Sequence, residues 1–96
     1  MIDLRVYARG RDCQIRLPFV CNRDPATTVL AHVRLAGITG IALKSPDLLG
    51  AHACSACHDA VDGRIKTDLG PEYLQLCHFE GMARTIALLI REGKIK

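Results

Sequence analysis

The chain has 96 residues, of which 49% are hydrophobic and 24% are charged, and this balance excludes a disordered chain. A single domain spanning residues 1–96 buries only about 60–65% of the surface of its unfolded chain, so a metal or covalent cross-link would stabilise it. The formal net charge is +3, and two tyrosines and two phenylalanines are too few for the base-stacking platforms of single-strand binders.

The N-terminal segment is polar and basic. Asp3 and Arg5 interrupt any apolar run, and no long apolar stretch follows, so the sequence predicts neither a signal peptide nor a membrane span and indicates a cytoplasmic protein. The basic residues of this part of the chain are Arg5, Arg9, Arg11, Arg16, Arg23 and Arg34. Such a segment suits a polyanion such as nucleic acid, and a solubilising surface is the alternative interpretation.

Short extended elements are predicted in the first half. Residues 3–9 alternate apolar and charged side chains, which is typical of a strand with one solvated face. A second extended piece is predicted over residues 14–20, followed by a turn over residues 22–25. The segment 27–35 (TTVLAHVRL) is rich in β-branched residues and gives the strongest strand signal in the chain.

Two helices are predicted in the second half. Ser45 followed by Pro46 is typical of a helix start, and this helix would run through the second cysteine pair towards Val61, with a break near Gly50 as an alternative. The last helix begins near residue 70. Its inner face would consist mostly of small and apolar residues at helical spacing, namely positions 74, 77, 78, 81, 85, 88 and 89. The predicted order is therefore strands, then helix, then helix.

Four cysteines form two pairs. Cys54 and Cys57 form a C-x-x-C pair, whose thiolates can reach one tetrahedral metal ion at about 2.3 Å from each sulfur. Cys13 and Cys21, with seven residues between them, would lie on opposite arms of a hairpin and complete a four-sulfur set. In a reducing compartment this set predicts structural zinc, with unliganded core thiols or a redox dithiol as alternatives. Cys77, on the last helix, is interpreted as a buried small hydrophobe.

Each histidine has a plain structural interpretation as well. His32 lies within the predicted strand and would be a packed or surface residue. His52 is interpreted as a surface residue or a substitute metal ligand. His58 directly follows the C-x-x-C pair, so a metal that orders this turn would also fix His58. His78, on the inner face of the last helix, would be a hydrogen-bonded core histidine.

Taken together, these residues form a more specific pattern. A histidine on a strand followed at a distance by C-x-x-C-H resembles the HNH (ββα-metal, or His-Me finger) endonucleases, which often carry a zinc knuckle before the last histidine. The wider sequence is similar to the YbcO-like proteins, a family of small prophage-encoded proteins assigned as nucleases. The matching stretches are CNRDPATTVLAH, ACSACHDAVDGR and CHFEGMARTIALLIREGKI, which together span most of the chain.

The resemblance implies roles for particular residues. His32 matches the general base, His58 matches a ligand of the catalytic divalent metal, and Asp47 is the nearest counterpart of the asparagine that orients the base. Ala31 stands where many HNH motifs place a further ligand. Three side chains could supply that ligand from elsewhere: Asp59, Asp62 or His78.

Phosphodiester hydrolysis explains why such residues are needed. Imidazole is a base with a pKa near neutrality, and a cation beside the phosphate offsets developing charge. Mg²⁺, Mn²⁺ or Zn²⁺ would serve. Arg34, one strand period from His32, and Arg64 are candidate phosphate ligands, and exposed surface arginine is the alternative interpretation of each.

The sequence thus predicts an α+β fold: a small antiparallel sheet, a ββα-metal finger cross-linked by zinc, and a C-terminal helix. The predicted function is metal-dependent cleavage of DNA. One alternative is a non-catalytic zinc finger that binds nucleic acid or a phage-encoded partner. Another is a structural or regulatory protein without nucleic-acid contact.

Overall fold

The fold combines helices with one small sheet, which confirms the predicted α+β class. The computed structural model describes residues 3–34 and 46–95. The helices and strands follow in the order α1 (Leu4–Ala8), β1 (Val29–His32), β2 (Gly50–Ala53), α2 (Ser55–Val61) and α3 (Pro71–Arg91), with short 3₁₀ turns at Pro25–Thr27 and Asp47–Leu49. No helix within these residues is long and apolar enough to cross a membrane.

The two strands form an antiparallel pair, so a small antiparallel sheet is present as predicted, but β2 lies in a segment that was predicted to be helical. His32 lies opposite Gly50, and Ala31 lies opposite Ala51. A Cβ atom at Gly50 would come within 2.7 Å of Leu30 Cδ1, so a larger residue at this position in β2 would require the Leu30 side chain to move. Helix α3 packs across β2 and also contacts α2. The order strand, strand, helix from β1 to α2 therefore builds one compact unit against α3.

The prediction of a strand over residues 3–9 is wrong, because this segment contains helix α1. The Asp3 carboxylate accepts hydrogen bonds from the backbone N–H groups of Arg5 and Val6 and so caps the helix. Leu4 and Ala8, one helical turn apart, are buried, whereas Val6 is 53% exposed. The alternation in the sequence is real, but the cap and the four-residue spacing of the buried side chains determine the structure.

The extended piece predicted over residues 14–20 is also absent. This segment is a loop in which Arg16 and Phe19 have left-handed φ angles of 55° and 63°. Cys13 and Cys21 consequently lie in a loop and not on the arms of a hairpin. Ile15 and Leu17 are both buried, as their shared face in the prediction implied.

The long helix predicted from residue 45 to Val61 is correct only in its second part. Ser45 lies outside the described residues. From Pro46 the chain makes a 3₁₀ turn and then strand β2, and helix α2 begins only at Ser55. Its N-cap is Cys54, whose sulfur accepts a hydrogen bond from the backbone N–H of Cys57. Pairing with β1 makes residues 50–53 a strand, and α2 ends at Val61 as predicted.

The strand predicted over residues 27–35 is shorter than expected, since β1 covers four of its residues and Leu35 lies outside the described part. The last helix is confirmed. Within its predicted inner face, the buried residues are Cys77, His78, Gly81, Thr85 and Leu89. The predicted order of elements is wrong because a helix, α1, comes first.

Candidate metal centre and histidine cleft

The four paired cysteines meet at one place. The Sγ atoms of Cys13, Cys21, Cys54 and Cys57 all lie within 4.8 Å of one another. The sulfurs of Cys21 and Cys54 are 3.8 Å apart. Two sulfurs bonded to one tetrahedral zinc ion at about 2.3 Å would be separated by about 3.8 Å. The donor chemistry and the spacing of this cysteine cluster therefore fit a metal ion and are compatible with zinc.

Backbone N–H groups support the sulfurs. The N–H of Arg16 points to Cys13 Sγ at 3.5 Å, and the N–H of Cys57 points to Cys54 Sγ at 3.4 Å. Arg16, Phe19 and Arg23 all have positive φ angles, which cost about 1–3 kcal/mol each in a non-glycine residue. Such strain persists only where surrounding contacts impose it, and a metal bound at both ends of this loop would impose it.

The cysteine thiols differ in acidity. A hydrogen bond from the Cys57 thiol, together with backbone N–H groups, lowers the pKa of Cys13 to about 4 against the opposing effect of burial. The same hydrogen bond and burial raise the pKa of Cys57, and burial raises the pKa of Cys21. Cys13 is therefore the thiol of this cluster that ionises most readily. Because thiolates are the metal-binding form, metal binding would release the remaining thiol protons.

The loop that carries Cys13 is fastened to the rest of the fold. Gln14 donates its N–H to the carbonyl oxygen of His52 at 2.7 Å. Its own carbonyl oxygen accepts two hydrogen bonds from Arg84, from Nε at 3.0 Å and from Nη2 at 2.8 Å. The first cysteine is therefore positioned by both β2 and α3.

A second group of polar residues surrounds His32 at the end of β1. His32 Nε2 lies 2.7 Å from Asp47 Oδ1, and Arg5 Nε lies 3.3 Å from the same oxygen. The hydrogen bond with His32 and the charge of Arg5 hold the pKa of Asp47 below its usual value. Asp47, the nearest counterpart of the orienting asparagine in the sequence, thus contacts the predicted base directly.

His32 also borders an open cleft of about 370 Å³ between the end of β1, the end of α2 and the start of α3. Its polar lining comprises His32, Arg34, Asp62, Gln75 and His78. Arg34 is exposed there. The structure therefore brings the predicted base and the predicted phosphate ligand to one concave surface.

His58 lies beside this cleft on α2. Its Nε2 is 3.2 Å from Asp62 Oδ2, and its Nδ1 is 3.1 Å from Arg64 Nη2. Arg64 also pairs with Asp59 at 2.8 Å and with Asp62 at 3.0 Å. Because Asp62 lines the cleft, it connects His58 to the site around His32.

The three candidates for the missing ligand have different surroundings. Asp62 is paired with His58, whereas Asp59 is engaged by Arg64. His78 is buried and lies 2.9 Å from the Ala31 carbonyl oxygen through its Nε2 atom. Within residues 3–34 and 46–95, the cysteine cluster is the one group of three or more metal-binding side chains whose donor atoms meet. Asp62 is thus the candidate that the structure brings to His58.

Cys77 and His78 have the surroundings that the sequence predicts, whereas His52 does not. Cys77 is buried, and His78 is a hydrogen-bonded core histidine, as predicted. The interpretation of His52 as a surface residue or substitute ligand is wrong, since it is 1% exposed and stands outside the cysteine cluster. Its backbone N–H donates a hydrogen bond to Thr85 Oγ1 at 3.0 Å, which connects β2 to α3.

Comparison with known proteins gives the family. The sequence profile of the family described as "Putative nuclease YbcO" matches residues 2–94. The chain belongs to the YbcO family. The resemblance seen in the sequence is thereby confirmed at the level of that family.

Two curated relatives and one solved structure are similar over nearly their whole length. The "Putative nuclease YbcO" of Escherichia coli (strain K12) and the "Putative nuclease ybcO" of Enterobacteria phage 82 are each 54% identical to this chain over 97 residues, covering 100% of this chain and 99% of the relative. A solved structure, described as a putative bacteriophage protein from Escherichia coli str. K-12 substr. MG1655, is 47% identical, covers 95% of this chain and 100% of its own, and superposes with a TM-score of 0.81.

The YbcO family name supplies a class of activity, the cleavage of nucleic acid, and assigns no residue. Sequence reasoning about this YbcO family member missed two side chains, Arg5 beside Asp47 and Arg84 beneath the cysteine loop. Both lie far along the chain from their partners, 42 and 70 residues away. Local sequence patterns carry no signal for such contacts.

Proposed function

We propose that this chain is a metal-dependent endonuclease that hydrolyses phosphodiester bonds of DNA, built as a single domain of the HNH (ββα-metal) type. The observation that carries this proposal is the 2.7 Å contact between His32 Nε2 and Asp47 Oδ1 at a cleft that also presents Arg34 and Asp62. The YbcO family name supports the reaction class, and the order of β1, β2 and α2 supports the architecture.

His32 is the general base. Asp47 accepts the hydrogen bond from Nε2–H, which selects the tautomer in which Nδ1 carries the lone pair and can take a proton from water. The hydrogen bond with His32, with the charge of Arg5 as a smaller contribution, lowers the pKa of Asp47, so the carboxylate that orients the ring stays ionised under mildly acidic conditions. Asp47 and Arg5 are positioning residues, since they act through His32.

His58 and Asp62 hold the catalytic cation. An imidazole nitrogen and a carboxylate oxygen are suitable ligands for Mn²⁺ or Zn²⁺. Mg²⁺ can also bind with so few protein ligands, because phosphate oxygens and water complete its coordination shell. When bound, the cation offsets charge on the phosphate and on the leaving oxygen. Binding of the cation by the His58 ring nitrogen near Asp62 would move the ring proton to Nδ1, so Arg64 would give up its 3.1 Å contact with Nδ1 while it stays paired with Asp59.

Arg34 binds the phosphate backbone, because it is exposed on the cleft and its guanidinium can donate two parallel hydrogen bonds. The cysteine cluster has a different role. Four sulfur ligands close the coordination sphere of a zinc ion, so that ion would stabilise the fold and take no part in the reaction.

Plasmid nicking in the presence of Mg²⁺, Mn²⁺ or EDTA tests this function. We expect cation-dependent nicking by the wild type and a loss of at least about 100-fold in His32→Ala, the usual contribution of a general base. Asp47→Asn, which keeps the size of the side chain, should lose less. Arg9→Ala, an exposed change outside the cleft, is the control, and all variants are matched for zinc content. Nicking that persists in His32→Ala contradicts the proposal.

One observation favours a second function. Ala31 is fully buried and offers no ligand, and among the described residues the one ion pair of His58 is with Asp62. A zinc module that binds nucleic acid without cleaving it would account for this. It would bind DNA with a steep dependence on salt and would show no nicking with any cation.

A further inference from the structure

Helix α3 carries an apolar stripe on its outer face, opposite the stripe that faces the core. Leu76 and Ile90 are 52% and 54% exposed, although both are large aliphatic residues. The outer stripe comprises Leu76, Phe79, Ala83, Ile86, Ala87 and Ile90. Phe79 and Ile86 are half-buried, and the two alanines are exposed. The stripe runs most of the length of this 21-residue helix.

A helix at the surface of a protein normally has a polar outer face. Helix α3 has four charged residues, and two of them, Glu72 and Arg91, lie in the first and last turns. Arg84 binds the cysteine loop, and Glu80 is the one charged residue at the middle of the outer face. Apolar residues on both faces of a helix indicate that both faces are covered by other parts of a protein. The core side is covered by β2 and α2.

We propose that a second copy of this chain covers the outer stripe, with its α3 antiparallel. Two pairs within the stripe are symmetric about Ala83, since Leu76 and Ile90 each lie seven residues from it and Phe79 and Ala87 each lie four. The counterpart of Ile86 is the exposed Glu80, so the symmetric contact consists of these two pairs and Ala83. A two-fold axis at Ala83 therefore places Leu76 of one copy against Ile90 of the other. The small side chain on the axis lets the two helices approach closely, and the seven-residue spacing is that of helices packed side by side.

Charge selects the antiparallel arrangement. The first turn of α3 carries Glu72, and the last turn carries Arg91. Antiparallel pairing brings the acidic end of each helix beside the basic end of the other and also opposes the two helix dipoles. Parallel pairing would place the two Glu72 carboxylates side by side.

The pairing also separates the two clefts. Pro71, Gln75 and His78, from the first half of α3, line the cleft at His32. In an antiparallel pair these halves lie at opposite ends, so each copy would present its cleft at its own end of the helix pair. If the proposed nuclease function holds, the dimer has two symmetry-related active sites, one in each cleft. The oligomeric state can be measured independently of any cleavage.

Sedimentation equilibrium of the zinc-loaded chain tests the interface. We expect a species of twice the chain mass of 10.5 kDa. Leu76→Glu and Ile90→Lys should each raise the dimer dissociation constant by at least about 10-fold, because each puts a charge against a large apolar side chain of the other copy at two equivalent contacts. The combination of both changes should restore the dimer, because an antiparallel pair brings position 76 against position 90 of the other copy. Restoration also shows that neither change prevents folding.

Val6→Glu is the matched control, since Val6 is an apolar residue of helix α1 with 53% exposure. It should leave the dimer unchanged. The proposal is overturned by a wild type that stays monomeric up to roughly 100 µM, a concentration at which even a weak specific dimer would be populated. A dimer that Leu76→Glu does not weaken would also overturn it. So would a double variant that remains monomeric although each single variant dissociates.

Discussion

His78 illustrates how one buried side chain connects two elements. It is 8% exposed, and its Nε2–H donates to the carbonyl oxygen of Ala31 on β1. Burial lowers the pKa of His78, and this hydrogen bond and the charge of Asp62 oppose the effect. The neutral ring therefore holds α3 against the strand on which His32 lies.

This lowered pKa predicts how stability depends on pH. Below about pH 6.5 the unfolded chain binds a proton at this histidine that the folded chain does not bind. The free energy of unfolding should therefore decrease as the pH falls from 7.5 through 6.5. In His78→Gln, whose amide can still donate to Ala31, the decrease should be smaller.

Urea denaturation of both proteins at a series of pH values, with zinc kept saturating, measures the effect. The difference between the two proteins removes contributions from groups that they share. Parallel pH profiles would show that His78 does not titrate differently in the folded and unfolded states.

The element that positions the cysteine cluster is α3, through the contact of Gly81 with the cysteine loop. A Cβ atom at Gly81 would lie 2.8 Å from Ile15 Cγ1 and 3.1 Å from the Gln14 carbonyl oxygen. That carbonyl oxygen is the acceptor of both Arg84 hydrogen bonds. The glycine in mid-helix thus permits a close approach of loop and helix that any larger residue would prevent.

Gly81→Ala should consequently destabilise the protein by about 1–3 kcal/mol through overpacking, although alanine favours a helix by about 1 kcal/mol over glycine. Thermal or urea unfolding measures this. Gly70→Ala is the control, because a Cβ atom there meets nothing closer than 3.8 Å. Equal or greater stability of Gly81→Ala would mean that the loop can move away from the helix at little cost.

At the scale of the whole molecule, two apolar clusters build the interior. The larger one includes Cys13, Cys54 and Cys57 together with buried residues of the sheet. The smaller one contains Leu4, Ala8, Leu30 and Leu89 and joins α1 to the far end of α3. The larger cluster consists mostly of small side chains around the sulfurs. A metal ion bound by these sulfurs would therefore stabilise it.

Removal of metal should therefore unfold the chain. We expect about one zinc ion per chain by elemental analysis, and loss of cooperative unfolding after treatment with a strong chelator, because metal binding and folding are coupled in small sites of this kind. Cys57→Ser should abolish zinc binding. Cys77→Ser, which changes a buried cysteine outside the cluster, should retain it. A metal-free protein with an unchanged melting transition would contradict the structural role of the ion.

The sequence by itself determined the cysteine set, the strand that contains His32, the last helix with its inner face and the YbcO resemblance. These depend on residue types and on short, regular spacings. The nature of the N-terminal segment, of residues 50–53 and of the Cys13 loop was decided by tertiary structure, through the Asp3 cap, the pairing with β1 and the support of α3. Likewise, only the folded chain brings Arg5 and Asp47 to His32, because contacts between residues far apart in sequence arise from packing and leave no local periodicity.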